Sequence, residues 1–379
     1  MKKSCIALAV LAAGTAQAQS SVTIYGIVDT GVAYTNKANT TAVPGGKTGS
    51  QLSMVSGIVQ GSRLGFKGVE DLGSGLKAVF QLETGFANDT GALQSDKGTS
   101  TLFRRKSVVG LSGNFGTVLL GRQTDLLDDV SVWTSIVDFG TFVAAPGHVL
   151  DRLEGTRTNN SIRYNTPSLA GFTASAIYGL GEVAGQTSTG QSFGLGGQYL
   201  RGPITLFAAY YQSKLGTPTA GASDVSLVNS APVFIGHPGD TALKTFTLGA
   251  SYQAGPARLY GNWSRAKQPL ASAATNNIIG GLSNDKADIF EAGVNYAVTG
   301  PLHLLASVQH TKLDFIGAKN GTLNQFNLGA DYFLSKRTDL YAFVSDLRAT
   351  NTTNPGVLGS TVGASGNQAA VALGVRHKF

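Results

Sequence analysis

Four stretches of the chain repeat one alternation: Phe193-Gly194-Leu195-Gly196-Gly197-Gln198-Tyr199, Phe246-Thr247-Leu248-Gly249-Ala250-Ser251-Tyr252, Phe290-Glu291-Ala292-Gly293-Val294-Asn295-Tyr296 and Phe326-Asn327-Leu328-Gly329-Ala330-Asp331-Tyr332. Every second position reads Phe, then Leu or Ala, then a small or β-branched residue, then Tyr. The positions between carry Gly, Thr, Glu, Asn, Gln, Ser and Asp. A period of two is that of a strand whose faces meet different environments. Each stretch runs into a turn signal, and proline opens the next strand at Pro203, Pro256 and Pro301, where its missing N–H matters least.

Applied to the whole chain, the pattern predicts sixteen strands: 22–35, 58–68, 76–86, 102–112, 115–122, 160–166, 171–180, 191–200, 203–213, 244–254, 256–266, 287–297, 301–313, 323–333, 338–347 and 368–379. Short turns at 68–75, 113–116, 166–171, 200–203, 253–256, 298–301 and 334–338 alternate with long polar connections, including 36–57, 214–243, 267–286 and 348–367. A soluble sandwich also alternates, but it usually shows Lys and Glu to bulk water, whereas the polar face here is glycine and small neutral residues. The pattern favours an all-β, antiparallel transmembrane β-barrel with tight periplasmic turns and longer external loops. Closure leaves no edge, so every backbone group is paired in a medium that offers no hydrogen bonds. Sixteen strands are too many for side chains to fill the interior, and a water-filled channel follows.

Composition agrees with that picture. Charged residues are 13% of the 379 and glycine reaches 50, about half and about twice the usual shares. No apolar run after the start is long enough for a membrane helix. Lys2 and Lys3, the apolar stretch Cys5–Ala13 and Ala16-Gln17-Ala18 have the order of a secretory signal peptide, which predicts cleavage after residue 18 and a mature barrel over 19–379. The only cysteine leaves with the signal, so no disulfide is expected. The formal charge is +7, but the longest basic run is Arg104-Arg105-Lys106, which gives little support to nucleic-acid binding.

Several segments together resemble the trimeric general porins of Gram-negative outer membranes: Val22-Thr23-Ile24-Tyr25-Gly26-Ile27-Val28-Asp29; Ser62-Arg63-Leu64-Gly65-Phe66-Lys67-Gly68 with Glu70-Asp71-Leu72-Gly73; Arg105-Lys106-Ser107-Val108-Val109-Gly110-Leu111; Gly121-Arg122-Gln123; and the terminal Arg376-His377-Lys378-Phe379. The resemblance spans essentially the mature chain. It implies a 16-stranded barrel with an inward-folded third loop, a homotrimer, and passive diffusion of small hydrophilic solutes and ions across the outer membrane. It also implies that the assembly machinery reads the C-terminal strand and its Phe379. Lipid and lipopolysaccharide are the expected surroundings, and no cofactor is expected.

The connection over 123–159 is long for a compact barrel and marks a functional loop. It holds Asp125, Asp128, Asp129, Asp138, Asp151 and Glu154 against Arg152 and Arg157. In the resembling family this loop narrows the pore, and Val137-Asp138-Phe139-Gly140 resembles its acidic tip, with Asp for the usual Glu and Val for the usual Pro. A basic wall should face it. Lipid-facing Leu64 and Phe66 turn Arg63 and Lys67 inward, and lipid-facing Leu76, Ala78, Phe80 and Leu82 leave Lys77, Gln81 and Glu83 inside. A charge on the lipid side near midplane would cost about 2–4 kcal/mol. In 102–112 alternation allows either Arg104 with Lys106, or Arg105 with Ser107, to face the lumen. The family pattern favours Arg105 and leaves Lys106 to snorkel at an interface. Arg122 and Arg163 are expected to join the wall, Arg152 or Arg157 to complete it, and Asp29 to point inward. Acids on one side and arginines on the other would set a transverse field, with mild anion preference.

Other readings compete. A substrate-specific channel of the same fold would share all these features, and an adhesin would use the long loops. A barrel enzyme would need a nucleophile–base pair or metal set, and His148, His237, His303, His310 and His377 show no metal-ligand spacing.

Overall fold

The computed structural model describes residues 21–40, 47–96, 99–140, 151, 153, 157–214, 242–267, 284–315, 319–352, 354–357 and 366–379. The signal peptide over 1–18, Arg152, Glu154, His148, His237 and most of the connections over 214–243 and 267–286 lie outside them.

The strands in chain order are β1 Ser21–Asn39, β2 Thr48–Ser56, β3 Arg63–Gly73, β4 Leu76–Gly85, a two-residue pair β5 Ser95–Asp96 and β6 Thr99–Ser100, β7 Lys106–Gly113, β8 Gly116–Thr124, β9 Arg157–Asn165, β10 Phe172–Gly179, β11 Ser192–Arg201, β12 Ile204–Lys214, β13 Ala242–Ala254, β14 Ala257–Lys267, β15 Asn284–Ala297, β16 Leu302–Phe315, β17 Gly321–Phe333, β18 Thr338–Thr350 and β19 Asn367–Lys378. Apart from β5 and β6, all belong to one antiparallel sheet that closes where β19 pairs with β1. β2 and β3 pair with the two ends of β1 and form one interrupted stave, so the barrel has sixteen staves.

Alternation sets the faces as expected. On β17, Phe326, Leu328 and Tyr332 are 47%, 63% and 45% exposed, whereas Gln325, Asn327 and Asp331 on the opposite face are buried. The exposed row is the lipid face, and its tyrosines stand beside the short turns, where an interfacial hydroxyl reaches water. The terminal residue completes the closure. Phe379 and Gly26 exchange both backbone hydrogen bonds at 3.0 Å. The Phe379 ring lies over Gly26, where a Cβ would come within 2.3 Å of Phe379 Cζ and 2.7 Å of the Arg63 carbonyl oxygen. Gly26→Val is therefore expected to prevent the terminal ring from seating. The yield of heat-resistant folded barrel on a denaturing gel should fall severalfold, while Gly300→Val, at a turn with open space, should leave it unchanged.

Several boundaries differ from expectation: β1 runs on to Asn39, β3 runs to Gly73 through most of the turn expected over 68–75, and β9 starts at Arg157. The segment 36–57 is not a free external loop, because β2 occupies Thr48–Ser56 and pairs along the outer half of β1. The second stave is not continuous over 58–68; it leaves the sheet at 57–62 and resumes at Arg63. Buried Ile58 and Val59 explain the break, since an apolar pair here packs inward rather than onto the lipid face. The strand expected over 102–112 begins only at Lys106. Finally, β18 runs on to Thr350, so the connection expected over 348–367 is shorter.

Candidate functional site

The long loop starts where β8 ends at Thr124. Asp125 caps a short helix, Leu126–Ser131, by accepting from the Leu127 amide at 2.9 Å, and Asp128 and Asp129 occupy its first turn, where the helix N-terminus favours negative charge. The other side of the helix is apolar. Leu126, Leu127 and Val130 are buried with Ile177, Phe207, Ala209 and Tyr211 of the inner wall. The loop therefore turns into the lumen. It continues along the wall: Trp133 Nε1 donates to Gln198 Oε1 at 3.0 Å, and the Ser135 amide donates to Glu291 Oε1 at 3.0 Å.

A single helical turn, Ile136–Phe139, forms the tip. Arg258 Nη2 of β14 donates to Asp138 Oδ2 at 2.6 Å, and Asn295 Nδ2 of β15 donates to Asp138 Oδ1 at 2.8 Å. Burial pushes the Asp138 carboxyl above the usual carboxylate range, and the Arg258 charge opposes that rise. Phe139 is fully buried, its ring 5.2 Å from that of Phe343 on β18. Gly140 ends the turn at φ 59°, so close to the second stave that a Cβ would lie 1.9 Å from the Val59 carbonyl oxygen. Only glycine meets both conditions.

Near the first turn of the loop helix, the barrel wall is basic. Arg63, Arg105 and Arg157 lie within electrostatic range of one another through Arg105, and Asp128 is in range of both Arg63 and Arg157. Arg105 Nε donates to Glu83 Oε1 at 2.6 Å, while Tyr25 donates its hydroxyl to Glu83 Oε2 at 2.8 Å. Arg63 Nε donates to the Gly61 carbonyl at 2.9 Å. Arg163 forms an ion pair with Asp129, and its Nε donates to Asn165 at 2.9 Å. The side chains at the loop helix thus bring two carboxylates against a wall carrying four arginines, with Glu83 as the wall's own acid.

A family model described as Gram-negative porin matches residues 4–352. The chain belongs to that family. This porin is 35% identical to "Outer membrane porin protein 32" of Delftia acidovorans, with 100% of both chains covered. It is 31% identical to an outer membrane porin protein of Bordetella pertussis, again over 100% of both. Among solved structures, the "Anion-selective porin from Comamonas acidovorans" superimposes with a TM-score of 0.69 at 29% identity, covering 95% of this chain and 100% of that one. The porin is a passive channel of the Gram-negative outer membrane.

The structure distributes the expected site residues of this porin over three places. Arg63, Arg105, Arg157, Arg163, Asp128 and Asp129 come together as described. Asp138 lies in the ion pair with Arg258 at the loop tip, on β14–β15 rather than beside these arginines. Lys67 and Lys77 are exposed farther along their strands: Lys67 stands over the Tyr25 ring at 5.5 Å, and Lys77 is next to the β3–β4 turn. Arg122 borders the cluster. Its register with Ser107 follows the parity of lipid-facing Leu120 and Val109, and its guanidinium turns sideways to the Arg104 carbonyl at 2.5 Å and to the Asn159 side chain.

Two residues depart from their expected places. Arg104 and Arg105 both precede β7, so strand alternation does not separate them; Arg104 donates to Gln94 Oε1 at 2.6 Å. Lys106 does not snorkel. It pairs in register with Glu83 and lies in electrostatic range of Arg163, Asp128 and Asp129, on the lumen side. The physical reason is the late strand start, with exposed Val109 and Leu111 fixing the lipid parity on odd positions. Arg258 is not among the residues expected at the site, although lipid-facing Leu259 beside it gives the signal.

Proposed function

We propose that this porin is a general diffusion pore for small hydrophilic solutes and ions, constricted by the long loop and biased mildly toward anions by a transverse field. The arginine cluster at Asp128 and Asp129 carries the reading, because its cations outnumber the local carboxylates. Arginine holds its charge at any physiological pH, and a narrow lumen contains few screening ions. The name of the Comamonas acidovorans relative supports the same direction. Lys67, Lys77 and Arg152 extend the basic wall in this reading, Arg122 adds its charge from the edge of the cluster despite its lipid-side parity, and Asp138 belongs to the acidic loop through its tip.

The same proposal includes a cleaved signal over 1–18, a homotrimer surrounded by lipid and lipopolysaccharide, and recognition of the Phe379 end by the assembly machinery. It assigns no catalytic step and no cofactor. The reversal potential of the purified protein in a planar bilayer under a salt gradient tests the field, and the anion sign is expected. A cation sign would sink it. Closures in groups of three would support the trimer. Competitive block of the current by one sugar or organic acid, with no effect from others, would favour a substrate-specific channel instead.

A further inference from the structure

Asp29 is a carboxylate of the inner wall that the pore chemistry leaves unused, and its side chain accepts three hydrogen bonds. It is fully buried on β1, facing the break in the second stave. Its Oδ2 accepts from the Val59 amide at 2.9 Å and the Gln60 amide at 2.7 Å, and its Oδ1 accepts from the Tyr341 hydroxyl at 2.7 Å. Its backbone holds both ends of the same segment. The Asp29 carbonyl accepts from the Gly57 amide at 2.7 Å and from Ser62 Oγ at 3.1 Å, and the Asp29 amide donates to Ser62 Oγ at 3.0 Å. Residues 57–62 are thus turned into the lumen around one side chain.

Two routes lead from this residue to the tip of the long loop. Through the segment, the Val59 backbone abuts Gly140 so closely that no Cβ would fit. Through β18, Tyr341 stacks on Phe343 at 5.0 Å, and Phe343 packs on Phe139 at 5.2 Å. Two glycines keep the parts close. Ile58 lies over Gly31, and the Tyr341 hydroxyl lies over Gly374, where added Cβ atoms would stand 2.8 Å and 2.2 Å away. A third link reaches the arginines. The segment's Gly61 carbonyl accepts from Arg63 Nε, and a Cβ on Gly61 would lie 3.2 Å from Arg105 Nη1.

We propose that Asp29 is the positioning residue of the pore: it folds the 57–62 segment inward so that this segment buttresses the loop tip and sets Arg63 and Arg105. A carboxylate suits this role because it accepts from three donors and donates none, whereas an asparagine offers one acceptor oxygen and turns an NH2 toward the remaining donor. The inference rests on the constriction reading above, since a loop that did not narrow the pore would leave nothing to position.

The test compares the full-length Asp29→Ala, Asp29→Asn and Tyr341→Phe variants with Arg105→Glu in planar bilayers, each first shown to run as a heat-resistant folded barrel. Asp29→Ala is expected to raise open-channel current noise about twofold and to lower the anion-signed reversal potential, as expected of a site loosened by loss of its supporting shell. Asp29→Asn should recover most of both, and Tyr341→Phe, which removes one donor, should raise the noise less. A folded Asp29→Ala with wild-type noise and potential, while Arg105→Glu shifts the potential, overturns the role of Asp29 and leaves the constriction standing. No change in any of them defeats the constriction as well. If Asp29→Ala yields no folded barrel, Tyr341→Phe decides, and wild-type noise in it overturns the proposal.

Discussion

Arg105→Glu is expected to abolish the anion preference proposed for the channel and to turn it toward cations. The substitution changes the local charge by two units, beside Arg63 and Arg157. Two unit charges 4 Å apart interact by about 1 kcal/mol in bulk water and about 4 kcal/mol at an effective dielectric of 20. A few ångströms of added distance in a narrow aqueous lumen bring the effect to about 1.4 kcal/mol, which is about tenfold in the anion-to-cation permeability ratio. Reversal potentials in a salt gradient read this directly. Arg105→Gln should give about half the shift in free energy. An unchanged ratio would mean that ions pass away from the arginine cluster. The ion pair with Glu83 makes a folding control necessary, because Glu83 is 8% exposed and would face a second carboxylate.

Arg258→Ala is expected to free the loop tip. The pair Arg258–Asp138 is buried, with side chains 17% and 6% exposed, and removing one partner of a buried pair costs about 3–5 kcal/mol because the other charge stays behind. Asn295 alone must then hold Asp138. The single-channel record should show larger and noisier currents. The noise should depend on pH with a definite sign. Burial already holds the Asp138 carboxyl above its ordinary range, and loss of Arg258 removes the main opposing influence. The docked tip therefore tolerates the protonated acid and rejects the ionised one: docking should be restored as pH falls through the raised value and lost as pH rises through it. The double variant Asp138→Asn/Arg258→Ala should be quiet and independent of pH. Persistence of the pH-dependent noise in that double variant would assign it to another group.

The repeated stretches at 193–199, 246–252, 290–296 and 326–332 show why the barrel was readable. Each lipid-facing side chain is chosen by its own local environment, so period two reports the face without knowledge of any partner. The same rule placed Arg63, Glu83 and Asp29 inside. It left Arg104–Lys106 open, where the family pattern misplaced Lys106, and it misled at 58–62, where an inward apolar pair looks like a continuing strand. Arg258 shows a different limit. Its face followed from Leu259, but its partner Asp138 lies 120 residues earlier in the sequence.

Alternation and the cost of charge in lipid are local conditions, so the chain alone is enough to specify a sixteen-stave membrane barrel with a long acidic loop. The pairing of Asp138 with Arg258, the meeting of Asp128 and Asp129 with the arginines, and the inward fold of residues 57–62 around Asp29 are visible only in the folded barrel. Those contacts join residues remote in the chain, and they arise from barrel closure and loop packing, which bring surfaces together without leaving a periodic trace.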